Sequence, residues 1–232
     1  MTRRAAEQKA LAAIARHGAL LVYPIANRKD PPSLWHELHP RSVMHWAWNE
    51  GADVRVAELW QLRERLARSR AVVYSKWYRG RAVFFSQDLF AAMLSELAPQ
   101  QSALTPDARA LFELLEDDSP QSTKLLRAAA GLRGRESERV WVRSMKELWE
   151  QLWVVGTGEV EDGAFPSLEL GATRWIFEAL WEDAAAGPSA AQRALLAEQL
   201  ARAPWFAAHW RKIHAASPSP PLDSSDADLD PT

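Results

Sequence analysis

The chain has 232 residues, 47% hydrophobic and 25% charged, which is enough apolar content for one good core or two small ones and excludes a chain too polar to fold. It contains no cysteine, which excludes disulfides, Fe–S clusters, thiolate zinc sites and cysteine nucleophiles together. The formal net charge of -2 hides a segregation: residues 1–90 carry 15 Lys and Arg against 8 Asp and Glu, and 120–150 carry 7 against 4, whereas 91–119, 151–188 and 216–232 are net acidic.

Met1-Thr2-Arg3-Arg4 runs into alternating charges and alanines rather than the apolar core of a secretory signal, so a cytoplasmic location is expected. Arg3 to His17 keeps Ala6, Ala10 and Ile14 at helical spacing and stops at Gly18. Ala19 to Tyr23 suits a buried strand. It falls far short of the roughly 20 apolar residues of a membrane helix, as does Ala82 to Phe85, and no span or anchor is expected. Asn27 to Pro32 is turn chemistry. Ser33 to Pro40 and His45 to Trp48 are rich in Trp and His. His36 and His39 stand three apart with His45 following, but no carboxylate ligand or partner can be identified, so no metal or other cofactor is expected. Trp35, Trp46, Trp48 and Trp60 read instead as an aromatic core. Carboxylates such as Glu37, Glu50 and Asp53 surround this segment without forming a recognisable catalytic pattern, and no phosphate loop or nucleophile elbow is present.

Val54 to Ala67 is amphipathic, with Val56, Leu59, Trp60, Arg63 and Leu66 on one face. Ala71 to Trp77 and Arg81 to Ser86 flank Tyr78-Arg79-Gly80 as two strands and a turn. Lys76, Trp77, Tyr78, Arg79 and Arg81 interleave aromatics and cations at this tip, a combination suited to stacking on bases while neutralising phosphates. The competing reading is an edge hairpin protected by charge. Gln87 to Leu97 closes the first half as a helix, and Pro99 to Thr105 reads as a linker.

From Thr105 to Ala172 the order is helix, helix, helix, hairpin, the pattern of a winged helix-turn-helix. Thr105-Pro106-Asp107 opens the first helix with a capping hydroxyl and a proline at its first position. Ser119-Pro120 precedes the second, Thr123 to Leu132, and Leu132-Arg133-Gly134-Arg135 is the turn. The third, Ser137 to Trp153, places Trp141, Met145, Leu148, Trp149 and Leu152 on one face and Arg139, Arg143 and Lys146 on the other. With Arg133 and Arg135 before it, this stripe suits phosphates or guanine edges in a major groove. The plain alternative is a solvated helix face, with Arg143 paired to Glu147. Val154 to Val160 and Phe165 to Leu170 flank Glu161-Asp162-Gly163 as a wing, whose Glu159, Glu161, Asp162 and Glu169 would repel phosphates. Thr173 to Ala185 and Ser189 to His214 add helices, and residues 217–232 read as a disordered acidic tail.

On Ser33 to Pro40, on Val56 to Ser86 with its Leu-Arg followed by Val72-Val73-Tyr74-Ser75-Lys76-Trp77-Tyr78-Arg79-Gly80-Arg81, and on the helical block from Thr105, the chain resembles the winged-helix DNA glycosylases of the AlkZ (YcaQ) type. It resembles more closely a shorter set of AlkZ-related proteins. The resemblance implies tandem winged helices forming a DNA cleft and the excision of alkylated or crosslinked bases. That family's catalytic Gln-x-Gln or Gln-x-Asp is missing: Gln87-Asp88 and Gln100-Gln101 lack the intervening residue, so no catalytic residue is carried over.

The expected architecture is α-rich α+β. A winged-helix-like half over 1–98, a linker at 99–104 and a winged helix-turn-helix over 105–186 precede accessory helices over 187–216 and the tail. The expected partner is double-stranded DNA, damaged DNA included, with the DNA-binding residues Lys76 to Arg81 and Arg133 to Lys146 named above. Two readings compete, a protein-interaction module built on the same winged helix and a transcriptional regulator, which would need a dimer to read paired half-sites.

Overall fold

The computed structural model describes residues 2–46, 53–97 and 103–216. Helix α1 (Arg3–His17) begins where the Thr2 side chain accepts from the Ala5 N–H and ends at Gly18, whose φ of 69° favours glycine. Strand β1 (Ala19–Leu21) follows at once, then α2 (Leu34–Leu38) and α3 (Val54–Ser69), capped by Ser33 and Asp53. Strands β2 (Val73–Tyr78) and β3 (Arg81–Phe85) form a hairpin closed by Arg79-Gly80, both at positive φ, the geometry that lets a two-residue turn match strand twist. Helix α4 (Gln87–Leu97) ends the half.

The second half repeats the order. Helix α5 (Pro106–Asp117), strand β4 (Gln121–Ser122), α6 (Thr123–Ala129), α7 (Glu138–Glu150), β5 (Val154–Val160) and β6 (Ser167–Ala172) are followed by α8 (Thr173–Ile176), α9 (Glu178–Ala185), α10 (Ala190–Arg202) and α11 (Pro204–Ala216). In each half the first strand pairs antiparallel with the last, β1 with β3 and β4 with β6. The fold is the expected α-rich α+β. Among the described residues the strands form one six-stranded sheet, β1-β3-β2-β5-β6-β4, so the halves meet edge to edge at β2 and β5.

That joint rests on a close approach. Tyr74 of β2 pairs with Gly156 of β5, and a Cβ at Gly156 would run into the Tyr74 ring. Gly158, at φ 145°, leaves room for the Arg68 side chain of α3. Glycines inside a strand weaken it unless another group must come close, which is their use here. Beside them the Arg63 guanidinium pairs with the Glu159 carboxylate, the two side chains 9% and 11% exposed. Trp60 Nε1 donates to the same carboxylate at 2.7 Å, and Arg63 stacks on the Trp60 ring.

Helices cover both faces of the first half's strands. Leu20, Tyr74 and Phe84 pack with α1, α2 and α3, while Leu21, Val73, Val83 and Phe85 pack with α4, α10 and α11. Double burial is why Ala19 to Tyr23 and Ala82 to Phe85 are continuous apolar runs. A third cluster lies between β5, β6, α5 and α7, built from Leu111, Leu115, Met145, Leu148, Trp149 and Leu170.

Several expectations are corrected. The Thr105 hydroxyl makes no helix-capping bond and donates to Glu147 at 2.6 Å instead. Helix α7 ends at Glu150 rather than Trp153, because Leu152 turns to φ 62° to bring Val154 into the sheet. The helix expected over Thr173 to Ala185 breaks at Phe177 into α8 and α9. Phe165 is not in a strand: it lies in the β5–β6 connection, 80% exposed, before Pro166, which has no N–H to give a ladder. The four-tryptophan core is not formed. Trp35 is fully buried, Trp46 is 47% exposed against Tyr23, and Trp60 is half-buried on Arg63. Trp48, residues 98–102 of the linker segment and residues 217–232 lie outside the described residues, while Leu104 is buried in the third cluster.

Substituting Gly156→Val should lower the unfolding free energy by about 1–3 kcal/mol through overpacking. Glu159→Ala, which strands a buried guanidinium, should cost about 3–5 kcal/mol. Urea unfolding monitored by tryptophan fluorescence measures both, and losses within about 0.5 kcal/mol would contradict the joint as described.

Candidate nucleic-acid interface

The hairpin and α7 are far apart in sequence, yet they line one cavity of about 540 Å³. Lys76, Trp77 and Arg79 come from the hairpin; Trp141, Val142, Met145, Lys146, Trp149 and Glu150 come from α7. The remaining wall is α11, through Ala208, His209 and Lys212, with Thr123 and Leu168 closing the side towards the β5–β6 hairpin. The fused sheet explains the meeting: α7 packs against β2 of the first half, as α3 packs against β5 of the second.

Trp77 and Tyr78 are not at an exposed tip. The β2–β3 register slips between Ser75, opposite Val83, and Tyr78, opposite Arg81, so one extra residue is accommodated and the normal alternation of faces is lost. Both aromatics end on the face covered by α11. Trp77 lies 4.9 Å from the Phe206 ring and 4.6 Å from the His209 ring; Tyr78 lies 4.9 Å from Trp205. At 0% and 4% exposure neither can stack on a base, which corrects that expectation. Arg79, over the Tyr78 ring at 5.2 Å, and Arg81 are exposed, whereas Lys76 is half-buried. Burial pulls the Lys76 ammonium below the ordinary lysine value, with Arg63 adding to the effect and Glu159 opposing it.

Helix α7 divides as its periodicity requires. Met145, Leu148 and Trp149 enter the third cluster, and Arg139, Arg143 and Lys146 stay exposed. Arg143 pairs with Asp107 at 2.8 Å rather than with Glu147, which is taken by Thr105. Lys146 pairs with Glu150 one turn on. Arg133, Arg135 and Arg139 are exposed with no ion pair among the described residues. Their turn is held by Arg127, which donates to the Leu132 carbonyl at 2.7 Å, bonds Glu138 at 2.6 Å and lies over the Trp141 ring.

Several carboxylates of the acidic hairpin have partners within the chain, and among the described residues Glu159 is the one held in an ion pair. Glu159 is held by Arg63, Asp162 accepts from Ser122 and Ser167 at 2.5 and 2.6 Å, and Glu169 accepts from Thr157. The bonds from Ser122 and Ser167 hold the Asp162 carboxyl below its usual range. A hydroxyl donor cancels no charge, so among the described residues only the Glu159 part of the expected repulsion of phosphates is offset by an ion pair.

His209 was not singled out by the sequence, nor were Lys212 and Glu150. His209 and Lys212 share a face of α11 at i, i+3 spacing, but nothing in the sequence puts that face beside the hairpin. His209 Nε2 lies 2.8 Å from the Trp77 carbonyl; since a carbonyl only accepts, Nε2 carries the proton. The Glu150 carboxylate is 3.6 Å away and 13% exposed. Burial lowers the His209 pKa most; the bond to Trp77 and the charge of Glu150 raise it, and Arg79 and Lys146 lower it further.

Elsewhere, His36 bonds Ser33 at 3.1 Å and the His39 ring lies 4.8 Å from Trp35. Among the described residues no three His, Asp or Glu side chains are grouped to hold a metal. Gln87 and Asp88 are exposed at the start of α4, with Gln87 donating to the Arg70 carbonyl, and Gln100-Gln101 lie outside the described residues.

A family profile described as AlkZ related matches residues 5–201. The chain belongs to the AlkZ-related family. The match runs through both halves of the sheet and most of α10, so the membership concerns the fused unit rather than one half. It gives the protein a DNA-repair, glycosylase-like theme. No curated protein and no solved structure is significantly similar to it. Among the described residues no helix is long and apolar enough to cross a membrane.

The buried imidazole makes a pH prediction. A histidine with a lowered folded pKa takes up its proton more readily in the unfolded chain, so stability is retained above the ordinary value of about 6.5 and lost as pH falls through it. The melting temperature should fall between about pH 7.5 and 5.5, with His36, His39 and His214, all lowered mainly by burial, acting in the same direction. His209→Gln should flatten part of that fall in thermal melts; an unchanged slope would contradict burial of His209 as its cause.

Proposed function

We propose that this AlkZ-related protein binds double-stranded DNA through two winged-helix units, with α7 and the β2–β3 hairpin as the contacting elements. The observation that carries the reading is the shared cavity: Lys76 and Arg79, Lys146, and Lys212 arrive from three separate elements at one concave surface. Each half has the strand–helix–helix–hairpin order of a winged helix after its first helix, and in such units the helix before the hairpin approaches a groove.

Further cations are exposed on and beside these elements. Arg79, Arg81, Arg133, Arg135 and Arg139 are exposed cations, and the Arg143–Asp107 pair, its side chains 67% and 45% exposed, is of the weak surface kind that a phosphate can displace. The β5–β6 hairpin keeps acidic charge, Glu159 alone being offset by an ion pair among the described residues, and it is not one of the contacting elements. A lesion carrying an alkyl group or a crosslink is the target that the family relation implies.

A protein-interaction role is the second reading, favoured by Phe165, which projects from the β5–β6 connection 80% exposed. The two readings separate in solution. Fluorescence anisotropy with a labelled duplex over a salt series should show affinity falling steeply with salt. Arg79→Ala and Arg139→Ala should each reduce the slope of log affinity against log salt by about one, and the Arg139→Ala/Arg143→Ala pair should weaken binding by about 1–3 kcal/mol for each guanidinium that meets a base edge. No binding at low salt would reject the DNA reading and leave the Phe165 surface for a protein partner.

A further inference from the structure

The mouth of the cavity shared by the hairpin, α7 and α11 carries more positive charge than the folded chain offsets. Lys76, Arg79, Lys146 and Lys212 line it against one carboxylate, Glu150, which is paired with Lys146. Beside these cations the lining is apolar, with Met145 and Val142 on α7, the latter 53% exposed. A surface of this kind suits a segment that brings carboxylates together with aliphatic side chains.

The chain itself supplies such a segment. Helix α11 lines the cavity through Ala208, His209 and Lys212 and ends at Ala216. At a rise of about 1.5 Å per residue, the chain leaves the helix only about 6 Å beyond Lys212. Residues 217–232 follow, with Asp223, Asp226, Asp228 and Asp230, no Lys or Arg, and Leu222 and Leu229 set among the acids. The two internal segments outside the described residues, 47–52 and 98–102, hold only Glu50 as a carboxylate. From Ser217 to Leu222 the chain can span about 20 Å at full extension, which leaves ample length to return to the mouth. Tethering keeps the segment beside the cavity at an effective concentration on the order of millimolar. Pairs that are individually weak at a surface then suffice to hold it.

We propose that residues 217–232 dock on the mouth of the cavity, their aspartates meeting Lys76, Arg79, Lys146 and Lys212 and Leu222 covering Val142 and Met145, so that DNA must displace them to bind. The segment starts one helical turn from the cavity, its charge is opposite to that of the rim, and four carboxylates face four cations. The proposal rests on the DNA-binding reading for its consequence, while the contact itself stands without DNA. Competition with phosphates is strongest at low salt, because rising salt releases the segment as well as the duplex.

The test compares the full chain with a full-length variant carrying Asp223→Asn, Asp226→Asn, Asp228→Asn and Asp230→Asn, which leaves every described residue unchanged. A water-soluble carbodiimide joins an amine to a carboxylate in contact with it. At low salt it should link the wild-type segment to Lys76 or Lys146, as read by mass spectrometry of the digested chain. A saturating matched duplex and high salt should each suppress those links. Links confined to Lys212, which is near the segment wherever it lies, or to Lys9 and Lys29, would overturn the contact. By fluorescence anisotropy at low salt, the variant should bind a matched duplex about tenfold more tightly than the wild-type chain, with the ratio falling towards one as salt rises. A ratio of one at low salt would overturn the competition. A tenfold ratio without links to Lys76 or Lys146 would also overturn the proposal, since repulsion at a distance needs no docking. If neither chain binds the duplex at low salt, the DNA reading fails, and the links alone decide whether the segment docks.

Discussion

The contact on which the rest of this structure depends is the meeting of β2 and β5, where the Tyr74 ring lies over Gly156 and the Arg63 guanidinium meets the Glu159 carboxylate. A buried ion pair is no stronger than a well-packed apolar contact of similar volume, but it is costly to break from one side. It therefore fixes how the halves sit more than it adds to their stability. With that register set, α7 leans on β2, α3 leans on β5, and basic segments separated by some fifty residues come to share one concave surface.

Helix α11 completes the arrangement. Trp205, Phe206, Trp210 and Ile213 pack into the cluster that holds Trp77, Tyr78 and Phe85, so this helix is part of the core rather than an accessory to it. By covering the hairpin aromatics it takes them away from solvent, and through His209 and Lys212 it supplies the third wall of the cavity. The net charge of -2 is accordingly a poor guide. Glu159 is offset by Arg63, whereas Arg79, Arg81, Arg133, Arg135 and Arg139 remain at the surface.

Local pattern carried much of the fold. The period of Val56, Leu59 and Leu66 marks α3, the Arg79-Gly80 pair marks a tight turn, and the division of α7 into a Met145-Leu148-Trp149 face and an Arg139-Arg143 face follows from helical spacing. What escaped was set by contacts distant in sequence. A bulge cannot be read from Lys76-Trp77-Tyr78, so the aromatics looked exposed. Strand β4 is only Gln121–Ser122 and has no alternation to detect. The cavity needs α11 beside the hairpin, a separation of more than a hundred residues that no local period encodes. The glycines at 156 and 158 were the one available hint of a close approach, and they point to the joint rather than to the site.

The proposed DNA duplex would lie across the face shared by the hairpin, α7 and α11. Hydrogen–deuterium exchange of the full chain with and without a saturating matched duplex tests it most directly. Slowed exchange is expected in peptides covering Lys76 to Arg81, Arg133 to Lys146 and the α11 segment around Lys212, with little change in α1 or α3. Protection confined to α1 and α3, or to the Phe165 connection alone, would contradict it.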